Sequence, residues 1–297
     1  MRGLISFDKN LEWLDGLSNS YKATKALPRV IMAIGPGGCG KTELAKLFAS
    51  RFSLQFVSVG KSTEEVRKIV QLIPLTGIPT LYVMHLKDMH GAATNSLLKV
   101  LEETPQQSYF WLEVERKEQT IPTIISRSVP YTMPVYTPQD LSEVAEGYSD
   151  DPDEWALVPN LVTTPGRVIA LIQSGKTKDI HSFVDKIVDN CTEVSTGNAL
   201  KISDKIKFKD DEEGYDLAIV LDAMQILSLN KYQKLAAYCD ERPLTEEEGD
   251  KIRRLVKKYQ KIIRTVSVMR SAMDKKGVNK KAVFDEGILQ IRRYINK

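Results

Sequence analysis

Residues 35–42, Gly35-Pro36-Gly37-Gly38-Cys39-Gly40-Lys41-Thr42, follow the pattern G-x-x-x-x-G-K-T, and their flanks narrow the folds open to this chain. Ahead of them, Val30-Ile31-Met32-Ala33-Ile34 is a short β-branched, apolar run that predicts a buried strand. Behind them, Lys41 to Arg51 predicts a helix with Leu44, Leu47 and Phe48 on one face. A strand, a glycine-rich loop and a helix in that order turn several backbone N–H groups inward, and the positive end of the helix dipole adds to them. Such a loop suits a polyphosphate. Lys41 is placed to neutralise β- and γ-phosphates, and the Thr42 hydroxyl to ligate Mg²⁺. The alternative, a glycine-rich turn that binds nothing, does not account for the strand and helix on either side.

The 297 residues are enough for two or three domains with sizeable cores. No apolar run approaches the length of a membrane span. Met1 to Phe7 leads quickly into Asp8 and Lys9, which predicts no signal-peptide core. Cys39, Cys191 and Cys239 are odd in number and far apart, so they form neither a disulfide framework nor a four-cysteine zinc site. That usage points to a reducing cytoplasm. A net charge of +3 is too small to argue for nucleic acid by itself, but the charge is unevenly spread. Asp210 to Glu213 is acidic and Lys251 to Arg270 strongly basic. Within the basic run, Ile252, Leu255, Tyr259, Ile262, Val266 and Met269 recur at helical spacing. This predicts a helix with one buried stripe and solvated basic faces rather than a DNA-binding helix.

The first ~135 residues alternate short apolar runs with helical patterns, which predicts a parallel sheet covered by helices on both faces. Further strands are expected at 54–59, 80–84 and 109–114, with a helix at about 92–103 stopped by Thr104-Pro105. Ser62-Thr63-Glu64-Glu65 reads as a capping box opening a helix with Val66, Ile69, Val70 and Ile73 on one stripe. From Thr137 the strand signals cease. Thr137-Pro138 and Thr164-Pro165 read as helix starts, and helices are expected at roughly 178–190, 216–240, 245–274 and 279–296. Ser149 to Asp153 reads as a loop.

A more specific signal lies in Asn95-Ser96-Leu97-Leu98-Lys99-Val100-Leu101-Glu102-Glu103-Thr104-Pro105, followed by Thr123-Ile124-Ile125-Ser126-Arg127-Ser128. These closely resemble the N-A-L-L-K-x-L-E-E-P and I-x-S-R-C blocks of bacterial clamp-loader subunits, the delta-prime and gamma/tau proteins of DNA polymerase III. Ser62 to Arg67 looks like their I-R segment. Thr164-Pro165-Gly166-Arg167 is similar to their S-P-G-R helix start, and Asn279 falls where their last collar helix begins. The resemblance implies an α/β then all-α chain. Residues 1–136 would form a RecA-like αβα AAA+ domain, 137–192 a helical lid, and 193–297 a helical collar. It implies ATP and Mg²⁺ as ligands. The implied partners are the other subunits of a five-membered ring, a sliding clamp and primer–template DNA. It also implies that Arg127 acts as a finger on the ATP of a neighbouring subunit, and that Arg167 touches the γ-phosphate in cis. The region bordering the central channel would offer Lys87, His90 and Lys99 to DNA phosphates.

The resemblance breaks at two places. Counting back from Asn95 sets the acidic pair of the hydrolytic members on Met84-His85, neither of which offers Mg²⁺ a hard oxygen. Asp88 lies just beyond, and no polar sensor stands out near Val114-Glu115. Two readings follow. One is a delta-prime-like, mainly structural subunit that binds ATP with weak or absent hydrolysis. The other is a working clamp-loader ATPase whose metal is held by Asp88 or by an unrecognised carboxylate. A third reading, an unrelated P-loop nucleotide kinase, lacks a recognisable substrate site.

Overall fold

The computed structural model describes residues 8–59, 64, 77–86, 92–190, 197, 201–209, 213–241, 245–275 and 277–295. It divides into two compact units, Met1–Asp140 with Thr164–Gly166, and Leu141–Thr163 with Arg167–Lys297.

In the first unit, α1 (Asp8–Thr24) precedes β1 (Val30–Ile34), α2 (Lys41–Arg51), β2 (Gln55–Ser58) and β3 (Thr80–His85). These are followed by α3 (Ala92–Glu102), β4 (Ser108–Val114), the short α4 (Pro122–Ile125) and β5 (Val129–Thr132). The five strands form one parallel sheet in the order β2-β3-β4-β1-β5. Every residue of β1 is buried, as is nearly all of β3 and β4, because helices cover both faces of these central strands. The edge strands β2 and β5 are largely exposed or half-buried.

Side chains alternate across the sheet, so each face can be read by parity. Met32, Ile34, Tyr82, Met84, Phe110, Leu112 and Val114 share one core cluster with Leu97, Val100 and Leu101 of α3 and Ile124 of α4. On the opposite face, Trp111 meets Phe48 of α2 at 5.9 Å and Trp13 of α1 at 6.2 Å between ring centroids. Trp13 also stacks on Tyr131 of β5 at 4.1 Å, and the Tyr131 hydroxyl donates to Asn10 Oδ1 at 2.7 Å.

Helix α5 (Pro138–Glu146) opens on Thr137, whose Oγ1 accepts from Asp140 N while Asp140 Oδ2 accepts from Thr137 N. The second unit carries α6 (Pro152–Leu157), most of α7 (Pro165–Gln173), α8 (Thr177–Asn190), β6 (Ile206–Lys207) and β7 (Tyr215–Asp216). It ends in α9 (Leu217–Glu241), α10 (Glu246–Met273) and α11 (Lys280–Ile295). Tyr259, Ile262, Val266 and Met269 of α10 are buried, as are Val220 and Met224 of α9 and Phe284, Ile288 and Ile291 of α11. A reciprocal Thr245–Glu248 capping box starts α10, and Asn279 Oδ1 accepts from Ala282 N at the start of α11. Lys258, buried on α10, donates to Asp189 O at 2.6 Å near the end of α8.

The structure corrects the sequence reading at four places. Helix α1 and strand β5 are present where neither was expected. Pro152 begins a helix inside the stretch read as a loop, with Asp151 Oδ1 accepting from Asp153 N as its cap. Beyond Thr137 there is a short parallel pair, β6 with β7. The helix expected from the Ser62–Glu65 capping box lies outside the described residues, as do Lys87, Asp88 and His90.

Candidate functional site

Strand β1 is flanked by β4 and β5, and its carboxyl end runs straight into the glycine-rich loop. Gly35 N donates to Val114 O at 3.1 Å, and Met133 N donates to Ile34 O at 2.8 Å, so the β4 side carries its pairing to the loop's first residue and the β5 side to the strand's last. Gly38 and Gly40 adopt φ of 79° and 91°, a left-handed conformation that other residues rarely reach. These two turns reverse the chain into α2, whose N-terminal N–H groups are the orphan donors of a helix start.

Lys41 is 9% exposed and curls back over its own loop, donating to Gly35 O at 2.6 Å and Pro36 O at 2.9 Å. Cys39 is buried beside it, with Sγ 3.8 Å from Lys41 Nζ. Burial pushes the Cys39 thiol pKa up, and the nearby Lys41 ammonium only partly opposes this. The buried Tyr136 hydroxyl donates to Cys39 O at 2.9 Å, and burial likewise raises its pKa.

The chain returns to this loop at Thr164–Gly166. Thr164 Oγ1 donates to Gly37 O at 3.0 Å, and Gly166 N donates to Gly38 O at 2.9 Å. A Cβ on Gly166 would lie 2.8 Å from Gly38 Cα, so only glycine permits this approach. The Thr-Pro-Gly segment thus pins two loop carbonyls.

The other side of the loop faces the ends of β3 and β4. Parity separates the two residues on which the acidic pair was expected. Met84 belongs to the core cluster with α3, whereas His85 lies on the α2 face, in register with Glu113 of β4. Glu113 is only 4% exposed. Its Oε2 lies 3.0 Å from His85 Nδ1, and its Oε1 accepts from Thr42 Oγ1 at 2.9 Å. Sequence reasoning passed over Glu113. Its one signal was an acidic residue at the tail of an otherwise apolar strand, Tyr109-Phe110-Trp111-Leu112-Glu113-Val114. Glu115 also approaches the loop, with Oε1 3.9 Å from the position a Cβ on Gly37 would take.

The two arginines singled out by resemblance are engaged with carboxylates in the structure. Arg127 follows α4 and donates to Glu102 Oε1 at 2.7 Å and to Thr123 O at 3.0 Å. Arg167 belongs to the second unit, where it pairs with buried Asp222 of α9, which also takes Arg270 of α10. Lys99 is exposed on α3.

The donor set fits a nucleotide with Mg²⁺. It combines backbone N–H groups at two left-handed glycines, a buried lysine, a threonine hydroxyl and a carboxylate, the last two being hard oxygen donors. No helix among the described residues is long and apolar enough to cross a membrane.

Residues 54–136 match the family model described as DNA polymerase III, delta subunit. Among solved structures, a Thermotoga maritima RuvB R170A variant aligns with a TM-score of 0.51 at 15% identity, over 73% of this chain and 87% of that one. The Thermotoga maritima RuvB Holliday junction branch migration motor aligns at 0.48 and 15% identity, over 81% and 79%. A DNA polymerase III gamma subunit-related protein of the same organism aligns at 0.42 and 15% identity, over 95% and 99%. The five-stranded parallel sheet with its loop after β1 and the helices that follow thus share their fold with the RuvB variant, and residues 54–136 are similar to the DNA polymerase III delta-subunit family.

Proposed function

We propose that this chain is a nucleotide-binding subunit of a DNA clamp loader, taking ATP with Mg²⁺ in the loop of residues 35–42. The observation that carries this reading is the loop itself: a buried lysine and two left-handed glycines between a central parallel strand and a helix N-terminus. When bound, Mg²⁺ supplies positive charge that offsets the phosphates. Lys41 would exchange its bonds to Gly35 O and Pro36 O for phosphate oxygens, and the Thr42 hydroxyl would face the metal.

In this reading the chain belongs to a five-membered, hetero-oligomeric cytoplasmic ring that opens a sliding clamp on primer–template DNA. Residues 1–136 hold the nucleotide, 137–192 act as lid, and 193–297 as collar. Arg127 would act on a neighbour's ATP after leaving Glu102, and Arg167 would approach the γ-phosphate after leaving Asp222. Both a delta-prime-like subunit with little hydrolysis and a working ATPase fit this frame. The carboxylate of Glu113 beside Thr42 favours the second.

The test is titration with a fluorescent ATP analogue. Lys41→Ala is expected to weaken binding at least tenfold, about 1.4 kcal/mol. Equal affinity for wild type and variant would remove the nucleotide from the proposal.

A further inference from the structure

The Thr42–Glu113–His85 cluster joins the glycine-rich loop to the ends of β3 and β4. A carboxylate that is 4% exposed at the end of an apolar strand is costly unless it is fully engaged. Both oxygens of Glu113 are engaged, one by a loop hydroxyl and one by a ring nitrogen. The hydroxyl belongs to Thr42, the residue that in a P-loop turns its oxygen lone pair to Mg²⁺. A hydroxyl has one proton and two lone pairs, so donation to Glu113 leaves its lone pairs free for a cation. An ionised carboxylate has about four acceptor positions, two of which Thr42 and His85 occupy. The other two can accept protons from water on the metal.

Resting on the nucleotide-binding reading above, we infer that Glu113 is the carboxylate of the magnesium site, supplied from β4 in place of the acid missing from β3. The sheet makes this exchange possible. His85 and Glu113 are direct register partners on adjacent parallel strands and lie on the face that looks toward α2. A carboxylate moved sideways by one strand therefore still meets the Thr42 hydroxyl. His85 is a positioning residue: its ring holds Oε2 while Oε1 meets Thr42. Met84 cannot fill the role, since it packs among Leu97, Val100 and Leu101 on the other face. Among the described residues no group of three or more His, Cys, Asp or Glu side chains could hold a metal unaided. The cation would therefore come with the phosphates and be steadied by Thr42 and Glu113.

The experiment measures the affinity of a fluorescent ATP analogue with and without Mg²⁺, and the bound Mn²⁺ signal of the Mn–ATP complex by electron paramagnetic resonance. The wild-type chain is expected to bind at least tenfold more tightly with Mg²⁺. Glu113→Gln should collapse that ratio to within about twofold of unity and diminish the bound Mn²⁺ signal. Should Glu113→Gln not fold, Glu113→Asp keeps the charge but withdraws it by one methylene, and should cut the ratio at least threefold. A full ratio in a folded Glu113 variant overturns the inference and leaves nucleotide binding standing. So does a collapse produced by Glu115→Gln but not by Glu113→Gln. A wild-type chain that binds no nucleotide under either condition overturns the nucleotide reading, and this inference with it.

Discussion

Arg127 and Glu102 form an ion pair at 2.7 Å across 25 positions of sequence, joining the turn after α4 to the last residue of α3. Both partners belong to the segments that carry the likeness to clamp-loader subunits, and both remain substantially exposed, at 35% and 50%. An exposed pair of this kind contributes less than about 1 kcal/mol, so the arginine can be released at little cost. Arg127→Ala should therefore lower thermal stability only slightly. If the side chain acts on a neighbouring subunit's nucleotide, the same change should reduce the clamp- and DNA-stimulated ATPase of the assembled ring tenfold or more. Size-exclusion chromatography of the mutant assembly, paired with its ATPase rate, checks both expectations. An intact ring with an undiminished rate would leave Arg127 as a surface charge.

Gly166 should tolerate no side chain. A methyl there meets Gly38 Cα at 2.8 Å and Gly38 O at 3.0 Å, so Gly166→Ala must push the Thr-Pro-Gly segment off the loop or distort the loop itself. Overpacking of this kind costs about 1–3 kcal/mol. A lower melting temperature is expected, with a smaller upward shift on adding ATP than the wild type shows. A wild-type melting curve in both conditions would contradict the pinning role.

Asp222 is buried between Arg167 and Arg270 and so ties together α7, α9 and α10. Its removal takes a charge-assisted partner from two guanidinium groups that are themselves 23% and 29% exposed, at about 1.5–3 kcal/mol. Asp222→Ala should destabilise the second unit by that amount in urea unfolding. A loss below about 1 kcal/mol would mean that other groups hold the two guanidinium groups equally well.

Cys39 should be a slow thiol. Burial raises its pKa, so at any given pH near neutrality its thiolate fraction is smaller than that of an ordinary cysteine. Iodoacetamide at pH 7.5 should alkylate half-exposed Cys239 at least tenfold faster than Cys39, as followed by peptide mass spectrometry. Comparable rates would show that the loop opens readily.

The sequence made some elements far more legible than others, for physical reasons. The loop, α2, β3 and the long helices α9 to α11 announce themselves through glycine spacing, apolar runs and helical periodicity. Helix α1 does not, because it attaches through Asn10 and Trp13 to Tyr131, contacts that leave no regular apolar stripe. Strand β5 contains Pro130 and is mostly exposed, so it lacks both the composition and the alternation of a strand. The acid of the site stayed hidden for a different reason. Counting along β3 follows one strand only, whereas the Glu113 carboxylate reaches Thr42 from the next strand in the sheet, a relation that appears only once register is known.

The strand order also sets when the site can exist. Of the five strands, β1 leaves the ribosome first, yet its two neighbours are β4 and β5, which follow about 80 and 100 residues later. Until then Val30–Ile34 is an apolar strand with two open edges, and the loop after it has no frame. Gly37 and Gly38 wait longer still, for Thr164 and Gly166. The nascent chain must therefore carry this apolar strand unpaired through most of the first unit's synthesis.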